Sequence, residues 1–537
     1  MLTIYLYKML RLLLLAYYSL VGIVAHAQIT STETHLPILR ITVADSIPDE
    51  PKISAHLAVI DRGVAGPNRP TDSPTGYDGV IGIELRGQTS RGWPKQSYGI
   101  ETRKADGSNN NVALLGLPTE NDWVLYAPFH DRSLLRNVFV YGLGRRLLAW
   151  SPRTRYVELW LNDDYRGVYV LTEKIKRDRN RVAIAELEEE DNSGMALTGG
   201  YLLKIDKGID STGQNHFLSA YSESAYPDYA TVDVLFVDPK SEELTPAQRT
   251  YIETYFHAFE AALRGPDFAD PQTGYAAFVD VGSFVDYLIL SELSGNLDAY
   301  RVSTYFHKPR GGKLTMGPLW DYNFALGSTR FCEADDAQQW RYAFNAVCPD
   351  DRWLVPFWWE RLLEDLTFAT RLRRRYTALR TGPLHRDSLH QMLDRQVQEL
   401  GTAAARDYAR WPGTRWLVPY TAVGHRAESD ALYAWLDRRL AFLDDEWLLP
   451  VLPPTVEWRV PSGPAGRPIE VWFTLEDATA VTLQLRDLTG RLHWSGALQL
   501  PAGTFARRLP VTPPPGTYLL HWQTADQAPE AQLLVRY

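Results

Sequence analysis

Two aspartates, Asp298 and Asp321, bracket the stretch that most constrains how this chain of 537 residues can fold. The residues between them predict a β-hairpin, with strands at 305–307 and 314–316 and a turn containing Pro309, Gly311 and Gly312. In a hairpin the first strand begins beside the end of the second strand. We therefore expect the two carboxylates, one before the first strand and one after the second, to lie close together. The two aspartates are nevertheless 23 residues apart in the sequence.

The length and the charge of the chain limit its architecture and its partners. A chain of 537 residues is too long for one ordinary hydrophobic core, so two or three domains are expected. The formal net charge is −9, and no Lys/Arg-rich run stands out. Proteins that bind nucleic acid usually carry a basic patch. We therefore expect no nucleic-acid partner.

The N-terminus has the pattern of a signal peptide. Lys8 and Arg11 precede the apolar run 12–24, and Ala25-His26-Ala27 offers small residues at a cleavage site. The run is shorter than the roughly 20 residues of a spanning helix, and no later stretch is apolar enough to span a bilayer. We expect a signal peptide over 1–27, cleavage near Ala27, export, and no transmembrane segment after cleavage.

The two cysteines, Cys332 and Cys348, are expected to form a disulfide, because exported proteins mature in oxidising compartments. Closing a loop of this size stabilises a fold by about 3 kcal/mol in the chain-entropy model. A structural zinc site would need further ligands, and no His stands at finger-like spacing from either cysteine.

The chain is β-rich up to about residue 240 and helical from there to about 449. Thr245-Pro246-Ala247-Gln248 is a capping box that opens the series of helices. Protein kinases combine such halves with a catalytic carboxylate and a metal-binding carboxylate. The sequence therefore predicts an α+β fold, with a bilobal kinase-like domain over 38–449 (lobes 38–240 and 241–449). After the Pro-rich boundary 450–454, short strands over 455–537 predict a small β-sandwich.

Local patterns predict the following individual elements. Strands are expected at 38–43, 52–59, 79–87, 93–101, 156–161, 167–172 and 201–206, with a turn at Asn162-Asp163-Asp164. Helices are expected at 131–148, where Asp131 or Ser133 caps the first turn, and at 283–293, 353–379, 388–400 and 427–445.

Several motifs, in this order along the chain, resemble those of the spore coat protein H (CotH) kinase family. The most specific is Arg86-Gly-Gln-Thr-Ser-Arg-Gly-Trp-Pro-Lys95-Gln-Ser-Tyr98, which is similar to the family's Arg-Gly-x-Ser-(Ser/Thr)-x-x-x-Pro-Lys-x-Ser-Tyr signature. The resemblance covers about residues 38–445 and continues through Arg136-Asn137, 167–169, Glu173, 200–206, Asn296-Leu297-Asp298 and 320–327. It implies a divergent bilobal kinase-like fold and an atypical, secreted-type protein kinase. Such a kinase uses ATP with Mg²⁺ or Mn²⁺ to phosphorylate Ser or Thr of a protein substrate.

The resemblance assigns roles to the two aspartates of the hairpin. Asp298 matches the family's catalytic aspartate, which orients the attacking hydroxyl and accepts its proton. Asp321 matches the metal-binding aspartate, and Asn323 is a turn former or a helper at the metal. Ser303 lies five residues after Asp298, where a kinase carries a metal-binding Asn, and a hydroxyl is a poorer ligand.

The basic signature segment supplies the candidates for contact with ATP. Lys95 is the first candidate for the phosphates, as a point charge, and Arg86 and Arg91 compete with it. The polar loop around Gly87 can also present backbone N–H groups to phosphate, although it is neither a G-x-G-x-x-G nor a Walker sequence. Glu173 and Asp206 could pair with Lys95, bind the metal or form structural ion pairs.

The last domain resembles the sorting domain of the type IX secretion system. The matching residues are Leu485-Arg-Asp-Leu-Thr-Gly490-Arg, Leu509-Pro510, Pro515-Gly516-Thr-Tyr518-Leu-Leu and a final strand. The resemblance implies that the type IX machinery is a partner, and that the protein is secreted or held on the outer-membrane surface of a Gram-negative bacterium. The alternative is a generic β-sandwich for adhesion or carbohydrate binding.

Two other functions are compatible with the residues. Ser303 and the many aromatic residues suit a catalytically weak surface protein that uses a kinase-like fold for adhesion or partner binding. Two carboxylates could also serve a glycoside hydrolase, which needs a carboxylate separation of roughly 5–9.5 Å across a sugar cleft. The hairpin arrangement suits a metal–phosphate site better.

Overall fold

The protein is described by a computed structural model that covers most of the chain. The described residues are 33–88, 90–208, 215–221, 232–412, 424–448, 458–475, 479–501, 503–524 and 530–537. The predicted signal peptide and the predicted boundary at 450–454 lie outside them. The described part contains nineteen strands and ten helices. This confirms the predicted mixed α+β class.

The first seven strands close into a barrel in the order β1-β2-β3-β4-β5-β7-β6. Neighbouring strands are antiparallel except at the closure, where β1 and β6 run parallel with Ile38 opposite Glu158. Apolar side chains fill the interior, among them Trp123, Tyr98 and Tyr169. The strands are β1 (Ile38–Thr42), β2 (Ile53–Ile60), β3 (Asp78–Arg86), β4 (Ser97–Thr102), β5 (Asp122–Tyr126), β6 (Thr154–Leu161) and β7 (Asp164–Glu173).

The sequence predicted six of these strands, five of them to within two or three residues, whereas β4 begins at Ser97 rather than at 93. The turn between β6 and β7 forms as predicted, with Asn162 and Asp163 at φ of 49° and 62°. Both angles lie in the left-handed region, which matches the twist of a tight hairpin. The sequence pattern did not indicate β5, a short buried run that a neighbouring strand covers on each side.

A second sheet of five antiparallel strands has the order β12-β11-β8-β10-β9. The predicted hairpin is present as its β11–β12 pair. The sheet combines strands from both sides of residue 240, so it does not divide at the predicted lobe boundary. Its strands are β8 (Tyr201–Ile205), β9 (His216–Leu218), β10 (Asp233–Asp238), β11 (Thr304–Lys308) and β12 (Thr315–Met316).

The helices pack around this sheet and share one large apolar core with it. Thr245 and Gln248 form the predicted capping box at the start of α3. The predicted helix 353–379 is two helices, because the Asp365 carboxylate accepts the N–H of Thr367 and opens α7. The helices are α1 (Arg136–Leu147), α2 (Gly194–Leu197), α3 (Pro246–Arg264), α4 (Val281–Ser294), α5 (Phe344–Val347), α6 (Trp358–Glu364), α7 (Leu366–Arg380), α8 (Arg386–Leu400), α9 (Ala403–Arg410) and α10 (His425–Trp447).

A fully buried ion pair joins α4 to α10. Glu292 and Arg439 are both 0% exposed, and the guanidinium donates to the carboxylate at 2.7 Å. The same carboxylate accepts the Tyr300 hydroxyl at 2.9 Å and the N–H groups of Arg341 and Tyr342 at 3.0 Å. Because one charge satisfies so many donors, its burial is compensated. The pair fixes the end of α4 and the loop that follows it.

Cys332 and Cys348 form the expected disulfide, with Cα atoms 5.7 Å apart. The chain segment that it closes ends next to α5, whose Phe344 ring lies under the guanidinium of Arg301. Among the helices of the described residues, none combines the length and the apolar character needed to cross a membrane.

The C-terminal strands form two facing sheets around a shared apolar core. The sheet orders are β13-β14-β17 and β16-β15-β18-β19, and Phe473, Leu483 and Trp522 lie in the core between them. An ion pair between Arg373 of α7 and Glu470 connects this domain to the helices. The strands are β13 (Trp458–Arg459), β14 (Ile469–Leu475), β15 (Thr479–Asp487), β16 (Leu492–Leu500), β17 (Gly503–Leu509), β18 (Gly516–Thr524) and β19 (Glu530–Arg536).

Candidate functional site

Three chain segments meet at one edge of the five-stranded sheet. Strand β8 ends where β11 begins, because Ile205 lies opposite Thr304 in the antiparallel register. On the other side of β11, its hairpin partner β12 ends at the same end of the sheet, where the Gly317 N–H donates to the Tyr305 carbonyl at 2.9 Å. This register brings Asp206, which follows β8, beside the start of β11, and β12, which leads to Asp321, lies on the other side of β11.

Hydrogen bonds tie the Asp298 loop to the Asp321 turn. The Asn296 amide donates to the Asp321 carbonyl at 3.4 Å and accepts the Asp298 N–H at 3.5 Å. Nearby, the Leu326 N–H donates to the Ser294 carbonyl at 2.7 Å. The two aspartate segments therefore run side by side and cannot separate without losing these bonds.

Helix α1 holds the Asp321 turn from the other side. The Asp321 N–H donates to the Tyr141 hydroxyl at 3.0 Å, and the Tyr322 N–H donates to the Asn137 side-chain carbonyl at 2.7 Å. Arg136 donates to the Ala325 carbonyl at 2.8 Å and pairs with Asp131. Arg136-Asn137, which the sequence marked only as a motif, therefore positions the turn of the second aspartate.

Arg301 holds the carboxylate of Asp298. Its guanidinium donates to Asp298 Oδ1 at 3.0 Å and to Asp351 at 3.0 Å, and its Nε donates to the Leu297 carbonyl. Arg301 is 4% exposed, whereas the Asp298 side chain keeps 22% of its surface exposed. No described residue bonds to Asp298 Oδ2. One carboxylate oxygen is thus fixed while the other stays available.

Burial and neighbouring charges raise the pKa of both aspartates. Burial, with the negative charges of Asp298 and Asp206, raises the pKa of Asp321 to about 7. Burial also raises the pKa of Asp298, against the opposing charges of Arg301 and Lys207. A nearby cation favours the charged form of such buried carboxylates, so the position suits a bound positive charge.

Residues with strained backbones concentrate around this site. Tyr300, Ser303, Asp321 and Leu326 have φ values of 73°, 50°, 58° and 53°. Such left-handed conformations cost about 1–3 kcal/mol each for residues with side chains, and they recur at functional sites. Hydrogen bonds hold two of these residues in place: the Tyr300 hydroxyl donates to Glu292, and the Asp321 N–H donates to the Tyr141 hydroxyl.

The side chains at this edge fit a hard divalent cation. Asn323 Oδ1 is buried and accepts no hydrogen bond from a described residue, and it lies two residues after Asp321. No three His, Cys, Asp or Glu side chains of the described part converge closely enough to cage a metal. Mg²⁺ is usually held by only one or two carboxylates together with phosphate oxygens and water. Asp321 together with Asn323 suits this way of holding Mg²⁺. The third metal candidate, Ser303, has no hydrogen bond to a described residue.

The basic signature segment reaches the site through Arg86. The Arg86 guanidinium lies 5.6 Å from the centre of the Trp320 ring, next to Asp321, and its charge opposes the raised pKa of that aspartate. Arg91 instead pairs with Asp49 at the surface. Of the three basic candidates, Arg86 is the one that lies near the carboxylates.

Lys95 and Glu173 each have a buried partner outside the carboxylate cluster. Lys95 is 2% exposed and donates to Asp407 of α9 at 2.5 Å. The same carboxylate oxygen accepts the Val168 N–H at 2.8 Å, so the pair fastens α9 to the barrel. Glu173 is 0% exposed and accepts the backbone N–H and the guanidinium of Arg153 at 2.8 Å. The structure therefore does not pair Lys95 with Glu173.

The sequence did not single out the two lysines, Lys207 and Lys204, that lie beside the carboxylates of Asp206, Asp298 and Asp321. Lys207 opposes the raised pKa values of both Asp298 and Asp321, and its ammonium lies 4.6 Å from the Trp353 ring. Lys204 donates to Asp206 at 2.7 Å. The polar residues at the end of β8 could have indicated these two lysines, because β8 pairs with β11 and ends beside the start of that strand. Arg301 left only the weak signal of lying three residues after Asp298.

The architecture defines a class of protein in which the edge of an antiparallel sheet presents two carboxylates from either side of a hairpin. The family model described as CotH kinase protein matches residues 83–443, which is more than half of the chain and includes all the site residues above except Asp49. The chain belongs to the CotH kinase family. No curated protein matches the sequence at a significant level.

We predict that Asp321→Asn changes how stability depends on pH. Because the folded-state pKa is raised from about 4 to about 7, the folded protein binds a proton in this range that the unfolded chain releases. The stability that Asp321 contributes is full below about pH 4 and lost as the pH rises through 7. Denaturation in metal-free buffer should show the wild type losing stability relative to Asp321→Asn across pH 4–7. Asn323→Ala alters the same turn without a titrating group and should run parallel to the wild type. Parallel curves for Asp321→Asn would contradict the assignment.

A second prediction separates a structural role of Lys95 from a role in ATP binding. Lys95→Met leaves the buried Asp407 unpaired and should lower the free energy of unfolding by about 3–5 kcal/mol. Lys95→Met/Asp407→Asn removes that charge, keeps an acceptor for Val168 and should recover most of the loss. The double variant should bind Mg²⁺–ATP as the wild type does. Weaker nucleotide binding by a stable double variant would instead place Lys95 on the phosphates.

Proposed function

We propose that this protein is a kinase that transfers the γ-phosphoryl group of ATP to Ser or Thr hydroxyls of proteins. The observation that carries the proposal is the hydrogen-bonded juxtaposition of Asp298 and Asp321, with Asp321 at a raised pKa of about 7. Phosphoryl transfer needs mainly positioning and charge neutralisation, which a rigid carboxylate pair with nearby cations can provide. Membership of the CotH kinase family supports the same reaction class.

Each side chain has a defined task in this proposal. Asp298, with one oxygen fixed by Arg301, orients the substrate hydroxyl and accepts its proton through the other oxygen. Asp321 and Asn323 would hold Mg²⁺ or Mn²⁺, which supplies neutralising charge to the ATP phosphates. Arg86 and Lys207 face the same carboxylates and add positive charge where the phosphates would lie.

Binding without efficient transfer is a second candidate, and one residue favours it. Ser303 stands where a kinase would supply a second amide ligand, so this site offers fewer oxygen ligands for a second metal ion. In that case the chain would act as a surface protein that binds partners through a kinase-like fold. A nucleotide at a hundredfold excess over its Kd stabilises a protein by about 2.7 kcal/mol, so thermal unfolding measures binding independently of transfer.

The predicted signal peptide and the C-terminal domain support a proposal for the location of the protein. We propose a secreted or outer-membrane surface protein of a Gram-negative bacterium, with the signal peptide cleaved near Ala27 and residues 455–537 as the sorting domain read by the type IX machinery. The Cys332–Cys348 disulfide supports an oxidising compartment. The two-sheet C-terminal domain is compatible with a sorting domain or with an adhesion module.

The test of the reaction is transfer of labelled phosphate from ATP by the purified mature chain. Removing a general base typically lowers a rate by 10²–10⁴-fold, so Asp298→Asn should lower the rate at saturating ATP at least 100-fold. Asp321→Asn should also abolish the stabilisation by Mg²⁺–ATP. Asp286→Asn, which removes the α4 partner of Arg375 on α7, is the matched control and should stay near the wild type. Incorporation that persists in both site variants would overturn the roles. Stabilisation by Mg²⁺–ATP without incorporation would select the binding function.

Export can be tested in a Gram-negative host that carries a type IX system. Mass spectrometry of the extracellular or surface fraction should give a mature N-terminus at Gln28. Deletion of 455–537 should leave the protein in the periplasm, while Asp298→Asn should be exported normally. A truncated chain that still reaches the surface would contradict the sorting role of this domain.

A further inference from the structure

A cleft of about 220 Å³ lies between α1, the start of β6 and α8, and the proposed kinase site does not use it. Val138, Gly142 and Arg145 line it from α1, whereas Asn137 and Tyr141, on another face of that helix, hold the Asp321 turn. The volume is below the 300–1,000 Å³ of sites for drug-sized ligands. Its occupant is therefore small.

Three guanidinium groups surround this cleft, and their positive charges are only partly balanced by acidic side chains. Arg145 donates to the Pro152 carbonyl at 2.6 Å, and Arg155 donates to the carbonyls of Thr154 and Leu115. These carbonyls fix the side chains without neutralising them. Arg395 has no hydrogen bond or ion pair with a described residue. The site is built for negative charge.

The neighbours of Arg145 support this conclusion. Burial lowers the pKa of Arg145, and the crowded charges of Arg153, Arg155 and Arg146 lower it further, against the opposing charge of Glu173. A basic residue in the last turn of a helix often serves only the helix dipole, for a fraction of a kcal/mol. That role does not require a second guanidinium from β6 and a third from α8.

The floor of the cleft carries an unsatisfied polar group beside apolar surface. Gln396 is 8% exposed, and its Oε1 is buried without a partner. Met392 is 7% exposed and lies 3.0 Å from where a Cβ on Gly142 would stand. Buried polar atoms are normally hydrogen-bonded, so the amide needs a ligand or water. An apolar wall with one amide suits a short organic group that carries a hydroxyl or an N–H.

We propose that this cleft binds a phosphomonoester. The phosphoryl dianion would lie among Arg145, Arg155 and Arg395, where planar guanidinium groups match phosphate oxygens. The short organic part would lie on Met392 and reach the Gln396 amide. Glu399 is the one acidic residue in the lining and faces Arg155, so the cleft keeps a net positive charge. Both a free phosphate ester and a phosphoserine side chain of a protein have this chemistry.

Calorimetry on the full mature chain tests the site in buffer with EDTA and low salt. Without a cation the carboxylates of the kinase site repel phosphate and do not compete. The probes are O-phosphoserine, glycerol phosphate, inorganic phosphate, and a serine peptide with and without phosphate. We expect the esters to bind, and Arg155→Gln and Arg395→Gln to weaken them at least tenfold. Arg438→Gln, which removes an exposed guanidinium that does not line the cleft, should bind as the wild type does.

Each outcome of the titrations has a defined meaning. Tighter binding of the phosphopeptide than of O-phosphoserine would identify a protein as the source of the ester, and equal binding would identify a small metabolite. Arg395 has no hydrogen bond or ion pair with a described residue, so Arg395→Gln removes no contact of the described fold and tests binding rather than folding. Binding of inorganic phosphate alone, binding that Arg395→Gln leaves unchanged, or no binding at millimolar concentration would overturn the proposal. None of these outcomes depends on kinase activity.

Discussion

The hydrogen bonds between the Asp298 loop and the Asp321 turn are the constraint on which the site depends. Asn296 bonds to both aspartate segments, and the Leu326 N–H bonds back to Ser294 at the end of α4. Without these bonds, two buried carboxylates would move apart, because burial and like charge both oppose their ionisation. The fold therefore stores electrostatic strain at one sheet edge. A bound cation with phosphates would relieve that strain, which ties the stability of the fold to its proposed ligand.

Two supports keep the strained edge in place, and both lie outside the site. On one side the buried Glu292–Arg439 pair fixes Tyr300, directly after the Asp298 segment. On the other side α1 receives the backbone N–H groups of Asp321 and Tyr322. Removing one partner of a buried ion pair typically costs 3–5 kcal/mol, more than a single hydrogen bond. The end of α4 therefore has the stronger support. The cleft proposed to bind a phosphomonoester lies on α1, the helix that supports the Asp321 turn.

The sequence predicted the local features of this protein better than its long-range contacts. The hairpin, the Asn162-Asp163 turn and the Thr245 capping box follow from residues a few positions apart, and all three are present. The parallel pairing of β1 with β6 depends on contacts about 120 residues apart, and no local pattern indicates it. Lys95 and Asp407 are 312 residues apart, and α9, which carries Asp407, was not predicted. Lys95 therefore looked like a phosphate ligand from its neighbours in the sequence, although its buried partner is distant.

If Asp298 and Asp321 form one metal–nucleotide site, a bound metal ion must lie beside Asp321. Anomalous diffraction from crystals grown with Mn²⁺ and a non-hydrolysable ATP analogue locates the ion without assuming any activity. We expect one strong peak bonded to the Asp321 carboxylate and to a phosphate oxygen, with Asn323 Oδ1 as a further ligand and Asp298 facing the γ-phosphate. A peak remote from both aspartates, or no peak near Asp321 at saturating Mn²⁺ and nucleotide, would contradict it.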